Sequence, residues 1–365
     1  LHLSIRRQRQ MCIRDRVGAI ADQTNDLGLR AQVIAHYGQI ALAEGDITGA
    51  SAYLSDSLAL YSKIDEPLLE AEVLTMLARS YTSSGRYADA EPLLERALVV
   101  YQRANQPSGL AHAYYALAEL LMGRGELDAA EAHLQHALVL SQTGNDRNYE
   151  AATLMQLGSI AMYRGQLDEA RTSFTRSLER FESIEDRYGM AACLNNLGFL
   201  ALSSDDLDGA AAQFERSLEL SESFEDQWGV ANTLANLGHV ALKRGQALEA
   251  QRLYLRSLAQ AAPIGAVPVV VEVLAALAPM LLQMPTHEGL ALALLRIVIA
   301  HPAATPDIRD GASALLAQQP ESAQPPMMNA ASLDADAAPI DLDKWVNDVI
   351  IALTPSSAGQ LHLNF

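Results

Sequence analysis

Cysteine, lysine and aromatic residues are all scarce in this 365-residue chain, and each shortage closes off a class of protein. Cys12 and Cys193 are the two cysteines; they cannot make a disulfide framework, and neither has the second Cys or nearby His that a zinc or redox motif needs. A reducing, cytoplasmic setting is the expectation. Of the three lysines, Lys63, Lys243 and Lys344, none follows a glycine, so the chain has no phosphate-cradling P-loop. It also lacks an H-E-x-x-H, a nucleophile elbow and a dinucleotide fingerprint. Long apolar runs are missing too. Val267 to Leu282 is interrupted by Pro268, Glu272 and Pro279 and is shorter than a bilayer crossing requires. Lys+Arg 26 against Asp+Glu 44 leaves a net charge of −18, which repels phosphate backbones and anionic lipid, so no direct nucleic-acid or membrane binding is expected. Aromatics at 5% beside hydrophobic residues at 50% put Ala and Leu in the core and favour close-packed helices.

What the chain has in abundance is repetition. Tyr37-Gly38, Leu77-Ala78, Leu117-Ala118, Leu157-Gly158, Leu197-Gly198 and Leu237-Gly238 recur at steps of 40, each with an alanine six positions before the pair: Ala31, Ala71, Ala111, Ala151, Ala191 and Ala231. A second set follows in each copy, from Ala50 and Leu58 to Ala250 and Leu258. Between the sets stands a turn glycine, Gly45, Gly85, Gly125, Gly165 or Gly245, replaced once by Asp205. Apolar spacing within a copy is helical: Leu194, Leu197 and Leu200 mark one helix, and Leu207, Ala210, Phe214 and Leu218 a second. Each copy is therefore read as an antiparallel helix pair, its first helix stopped by a left-handed residue. Asp26, Asp146, Asp186 and Asp226 are placed to cap the first helices. Such a pair cannot bury its own apolar face, and its neighbours must do so.

The residues Leu157, Gly158, Ala161, Gly165, Ala170, Phe174, Ser177 and Leu178 carry a pattern that resembles the tetratricopeptide repeat. That resemblance implies an all-α fold, an α-α superhelix of antiparallel pairs. The period exceeds the family's usual length of about 34 residues, and the surplus is expected to lengthen the second helix or the loop after it. Six such repeats are expected over residues 28–265. Residues 1–16, whose MCIRDR resembles translated adapter read-through, are set aside as a leader, and 17–27 read as the end of a truncated preceding repeat. A degenerate repeat and capping helices are expected over 266–318, a flexible Ala-, Pro-, Ser- and Gln-rich linker over 319–339, an amphipathic helix over 340–354 and a tail over 355–365. The run from His301 to Leu316 is similar to the C-terminal ends of bacterial regulators that set a repeat array behind a nucleotide-binding switch domain.

Sites of chemistry are few. His133 and His136, three apart on a second helix, are the nearest approach to a metal pair but lack a third ligand, so no metal and no cofactor are expected. Arg176, Arg216 and Arg256 are periodic and are assigned, with Glu179, Glu215 and Glu219, to a solvated outer face. The resemblance implies that first helices line a concave groove, carried here by Arg79, Tyr115, Glu119, Gln156, Tyr163, Asn195, Asn196, Asn232, Asn236 and His239. Asn suits such a groove because its amide both donates to and accepts from an extended backbone, and Asn196 and Asn236 stand one repeat apart. The expected function is a non-catalytic protein- or peptide-binding scaffold, the sensing arm of a bacterial signalling or transcriptional regulator whose switch domain lies upstream. A free-standing adaptor joining two proteins is one alternative, and a hydrolase site drawn from His287, His301 and Asp310 is another.

Overall fold

The computed structural model describes residues 26–43, 46–319 and 342–353, all helices and the turns that join them. The leader, the truncated repeat end up to residue 25, Gly45, the linker from residue 320 and the tail from residue 354 lie outside the described residues. The described chain forms two units, one up to Ile184 and one from Glu185. The first holds four helix pairs: α1 (Leu27–Ala43) with α2 (Ile47–Tyr61), α3 (Pro67–Ser83) with α4 (Tyr87–Arg103), α5 (Pro107–Gly123) with α6 (Leu127–Thr143), and α7 (Arg147–Tyr163) with α8 (Leu167–Ser183). The second holds α9 (Arg187–Ser203) with α10 (Leu207–Ser223), α11 (Gln227–Lys243) with α12 (Ala247–Ala261), and α13 (Val267–Leu282) with α14 (Glu288–Ala300), followed by α15 (Pro306–Ala317) and α16 (Leu342–Leu353). The described residues contain no strand, and the fold is all-α with consecutive helices paired as in a tetratricopeptide solenoid.

The surplus length does not sit in one helix or one loop. From Leu27 to Val267 a helix begins every 20 residues, so first and second helices share the longer period equally and most run 17 residues. The turns explain this regularity. Gly85, Gly125, Gly165 and Gly245 adopt φ between 73° and 80°, and the corresponding residue in the alternate turns, Asn105, Asn145, Glu185 and Glu225, is left-handed too, at 50° to 62°. The next N–H reaches back to a carbonyl five residues earlier, as Arg86 does to Tyr81 at 2.8 Å and Gln166 to Ala161 at 2.9 Å, which closes a Schellman cap. That same residue then opens the following helix, so these links have no slack; the link from α2 to α3 keeps the same interval without a positive φ. Asp26, Asp146, Asp186 and Asp226 cap the first helices by accepting backbone N–H bonds of 3.0–3.1 Å, and Asp46 and Asp206 do the same for α2 and α10. Asp205, in the left-handed position before Asp206, has φ 59°.

Within each pair a small residue on the first helix meets a large one on the second. A Cβ at Gly158, Gly198 or Gly238 would come within 2.5–2.7 Å of the rings of Phe174, Phe214 or Tyr254. Where the large residue shrinks to Leu94 or Leu134, the small one grows to Ala78 or Ala118, and all four are fully buried. Gly38 against Leu54 departs from this matching. The second tie is polar. The hydroxyls of Ser57, Ser177, Ser217 and Ser257 donate across the pair to the carbonyls of Ala31, Ala151, Ala191 and Ala231 at 2.7–2.9 Å, all of them buried. Ala97 and Ala137 hold the same place in the two pairs without the bond. A net gain of about 1 kcal/mol per bond is expected, because each hydroxyl would otherwise be buried unpaired.

At the far end of the second unit, α16 lies on the last repeats. Val346, Val349 and Leu353 are buried in the cluster that contains α12 and α13, and Gln251 donates to the Leu353 carbonyl at 3.1 Å. No helix among the described residues is long and apolar enough to cross a membrane.

Two measurements probe this scaffold. Gly198→Ala should lower unfolding free energy by about 1–2 kcal/mol in urea titrations, since overpacking against Phe214 exceeds the gain in helix propensity. Adding Phe214→Leu should recover part of the loss by recreating the Ala78–Leu94 match, whereas strictly additive losses would contradict the pairing. Glu225→Gly should raise the melting temperature, because it relieves a left-handed residue costing about 1 kcal/mol; an unchanged or lower value would count against strain at the turn.

Candidate functional site

First helices meet one another from repeat to repeat, and their meeting face carries the polar groups. In the first unit Arg79 on α3 donates to Glu119 on α5 at 2.9 Å, and its guanidinium lies 5.8 Å from the centre of the Tyr115 ring. Gln156 on α7 donates to the Tyr115 hydroxyl at 3.3 Å. His112 stacks on Tyr149 with ring centres 3.6 Å apart and bonds Asp146 at 3.1 Å, while Tyr115 meets Tyr149 edge-on. Of these groups Arg79, His112, Glu119 and Tyr149 line a cleft of about 600 Å³, together with Gln39 and Leu42 from α1, Glu72 from α3 and Tyr101 from α4.

The expected residues divide. Arg79, Tyr115, Glu119 and Gln156 form one connected network, although Tyr115 itself is buried and offers little surface. Tyr163, at the last turn of α7, is 73% exposed and stands outside this network. In the second unit Asn236 is fully buried and donates its amide to Asn195 at 2.8 Å, so it serves helix packing rather than an open wall. Its neighbour one repeat back, Asn196, is half-buried and has no hydrogen bond among the described residues, and the same holds for Asn232. His239 is fixed on both nitrogens: the Tyr254 hydroxyl bonds Nδ1 at 2.8 Å, and Glu272 bonds Nε2 at 2.9 Å.

Glu72, His112, Tyr101 and Tyr149 were not singled out in the sequence, yet they line the cleft. A signal for two of them exists. Glu72 and His112 stand seven residues before Arg79 and Glu119, two helical turns along the same face. Elsewhere, Arg176, Arg216 and Arg256 are exposed, with Arg256 3.9 Å from Glu222 rather than from the acids expected. His133 and His136 flank the ring of Tyr114, and the described residues contain no cluster of three or more potential metal ligands. His287 and His301 each bond within their own turn.

Electrostatics on the cleft favour neutral phenols and a charged guanidinium. Glu119 holds Arg79 firmly protonated. Burial pushes the Tyr115 and Tyr149 phenols up, with Glu119 adding to both. Burial, reinforced by Glu72, raises Tyr101 to about 12.

The family model for the MalT-like TPR region matches residues 22–183, and a tetratricopeptide repeat model matches 149–223. No curated protein sequence matches the chain. Among solved structures, the apo form of the quorum sensor NprR from B. thuringiensis aligns with TM-score 0.61 at 15% identity, covering 95% of this chain and 94% of that one. A Rap protein complexed with competence and sporulation factor aligns at 0.58 and 14% identity over 82% and 80%. A signal-transduction ATPase with numerous domains and a tetratricopeptide repeat sensor, from Pyrococcus horikoshii, aligns at 0.52 and 11% identity over 79% of this chain and 42% of that one. At these identities the likeness is one of fold.

The raised Tyr101 phenol makes a test of the cleft's interior. A group whose ionisation is delayed by folding contributes stability in full below its unfolded value, 10, and loses it as pH rises through about 12. Wild-type protein should therefore lose more unfolding free energy between pH 10 and 12 than Tyr101→Phe, measured by chemical denaturation. Parallel pH profiles would contradict the burial of that hydroxyl.

Proposed function

Because the chain carries a tetratricopeptide repeat array, we propose that it is a non-catalytic scaffold whose first-helix face holds an extended peptide or protein segment. The observation that carries this reading is the cleft of about 600 Å³ on α1, α3, α5 and α7, bordered by a fixed Arg79–Glu119 pair, aromatic rings and hydroxyls. Fixed polar groups beside aromatic surface suit an extended backbone, which brings alternating amide groups and side chains. Asn196 and Asn232 supply unpartnered amides on the second unit, available for the same purpose. Exposed Tyr163 on the first unit, and His239, held by Tyr254 and Glu272 on the second, would add contacts to the same segment.

The finer reading is a sensing arm of a signalling or transcriptional regulator, in which peptide binding biases a switch domain. It draws support from the match to a MalT-like region and from the fold shared with a tetratricopeptide sensor of a signal-transduction ATPase. The quorum sensor NprR and the Rap protein complexed with competence and sporulation factor, which share the fold, point the same way. Such a switch needs differential affinity for two states. Coding sequence upstream of Val17 separates the arm from a free-standing adaptor: a P-loop domain reading into the array supports the former, and a start codon followed by a polar capping helix supports the latter.

Panning the full chain against a displayed random-peptide library tests the scaffold itself. Retained peptides should lose about tenfold in affinity on the double substitution Arg79→Ala, Glu119→Ala, with helical content by circular dichroism unchanged. Peptides that bind that variant, and Asn196→Ala with Asn232→Ala, as well as wild type would contradict a first-helix site.

A further inference from the structure

The cleft of the first unit carries a charge that its own residues do not balance. Arg79 is matched by Glu119, and His112 is bonded to Asp146. Glu72 also lines the cleft, exposed on α3, and has neither an ion pair nor a hydrogen bond among the described residues. An exposed glutamate on a helix is ordinarily just a hydrated group. The surroundings of Glu72 differ from that ordinary case. Tyr101 and Tyr149 line the same cleft, and the charge of Glu72 helps to hold both phenols, and that of Tyr61 at the end of α2, in their neutral form. Thr75, almost one turn further along α3, adds a hydroxyl that is already bonded to the Ala71 carbonyl.

A lone carboxylate beside the rings of neutral tyrosines attracts a cation twice over, by direct pairing and through the negative faces of the rings. It repels an acidic group. The one guanidinium of the cleft, Arg79, is engaged by Glu119 and placed two turns away on α3, so it does not fill this role. The charge of the whole chain, −18, steers in the same direction by raising the local concentration of basic segments. We propose that the Glu72 end of the cleft is a subsite for a lysine or arginine side chain of an extended peptide, its cation set between the Glu72 carboxylate and the rings of Tyr101 and Tyr149. The inference rests on the peptide-binding reading above and narrows it from any extended chain to one with a basic residue at a fixed position.

The same random-peptide library, panned on the full chain and on Glu72→Gln, provides the test. Peptides retained by wild type should share a Lys or Arg at one position. A synthetic copy of the best lysine-containing binder should weaken about tenfold when that lysine is N-acetylated, a change that removes charge and keeps the stem. Glu72→Gln should weaken the unmodified peptide to the same extent and abolish the effect of acetylation, and Glu72→Lys should select peptides with Asp or Glu there instead. Retained peptides without a basic preference, or a full acetylation penalty surviving in Glu72→Gln, would overturn the subsite and leave the scaffold reading standing. A library that yields no binder to wild type would overturn both.

Discussion

A left-handed residue in each turn from Gly85 to Gly265 is the constraint on which the regular part of this structure depends. Where one residue takes positive φ and the next caps the following helix, consecutive helices are joined with no adjustable length; helix starts from Leu27 to Val267 fall on one interval of 20 residues, which the link from α2 to α3 keeps without a positive φ. Fixed intervals keep the columns of the sequence in register with columns in space. Ala50, Ala90, Ala130, Ala170, Ala210 and Ala250 can then all be fully buried at equivalent places, and small residues on first helices can face large ones on second helices, matched in size in every pair from Ala78–Leu94 to Gly238–Tyr254. Gly85, Gly125, Gly165, Gly245 and Gly265 adopt the left-handed form at no steric cost; Asn105, Asn145, Glu185, Asp205 and Glu225 adopt it because the helices on either side leave no alternative.

Function rides on the same register. A residue seven before another on a first helix shares its face, and a residue 40 later stands beside it on the next first helix of the unit. Arg79 and Glu119 pair because they satisfy the second relation, and Glu72 and His112 join the cleft because they satisfy the first. The cleft is thus lined by a handful of columns, some exposed, as at Glu72, and some shared with the core, as at Tyr101.

Nearly all of the fold was legible in the sequence, since a period repeated six times leaves little choice of architecture. Two things were not. The extra length of the repeat was expected in one helix or its loop, but asparagine and glutamate in the alternate turns gave no glycine signal of a left-handed residue, so the even division was hidden. The site was legible by column and illegible by depth. Tyr115 and Asn236 belong to the expected face, yet both sink into the packing, Asn236 because its amide finds Asn195 on the neighbouring helix. How far a side chain sinks depends on the volumes around it, which a single column does not record. Glu72 was missed for the opposite reason: it has no partner among the described residues, and that is visible only once the other side chains are placed.

Hydrogen–deuterium exchange of the full chain, with and without a saturating library-selected peptide, tests the central claim most directly. The account predicts added protection in Pro67–Ser83, Pro107–Gly123 and Arg147–Tyr163, the first helices around the cleft, with second helices little changed. Protection confined to the second helices, or to α15 and α16, would contradict it.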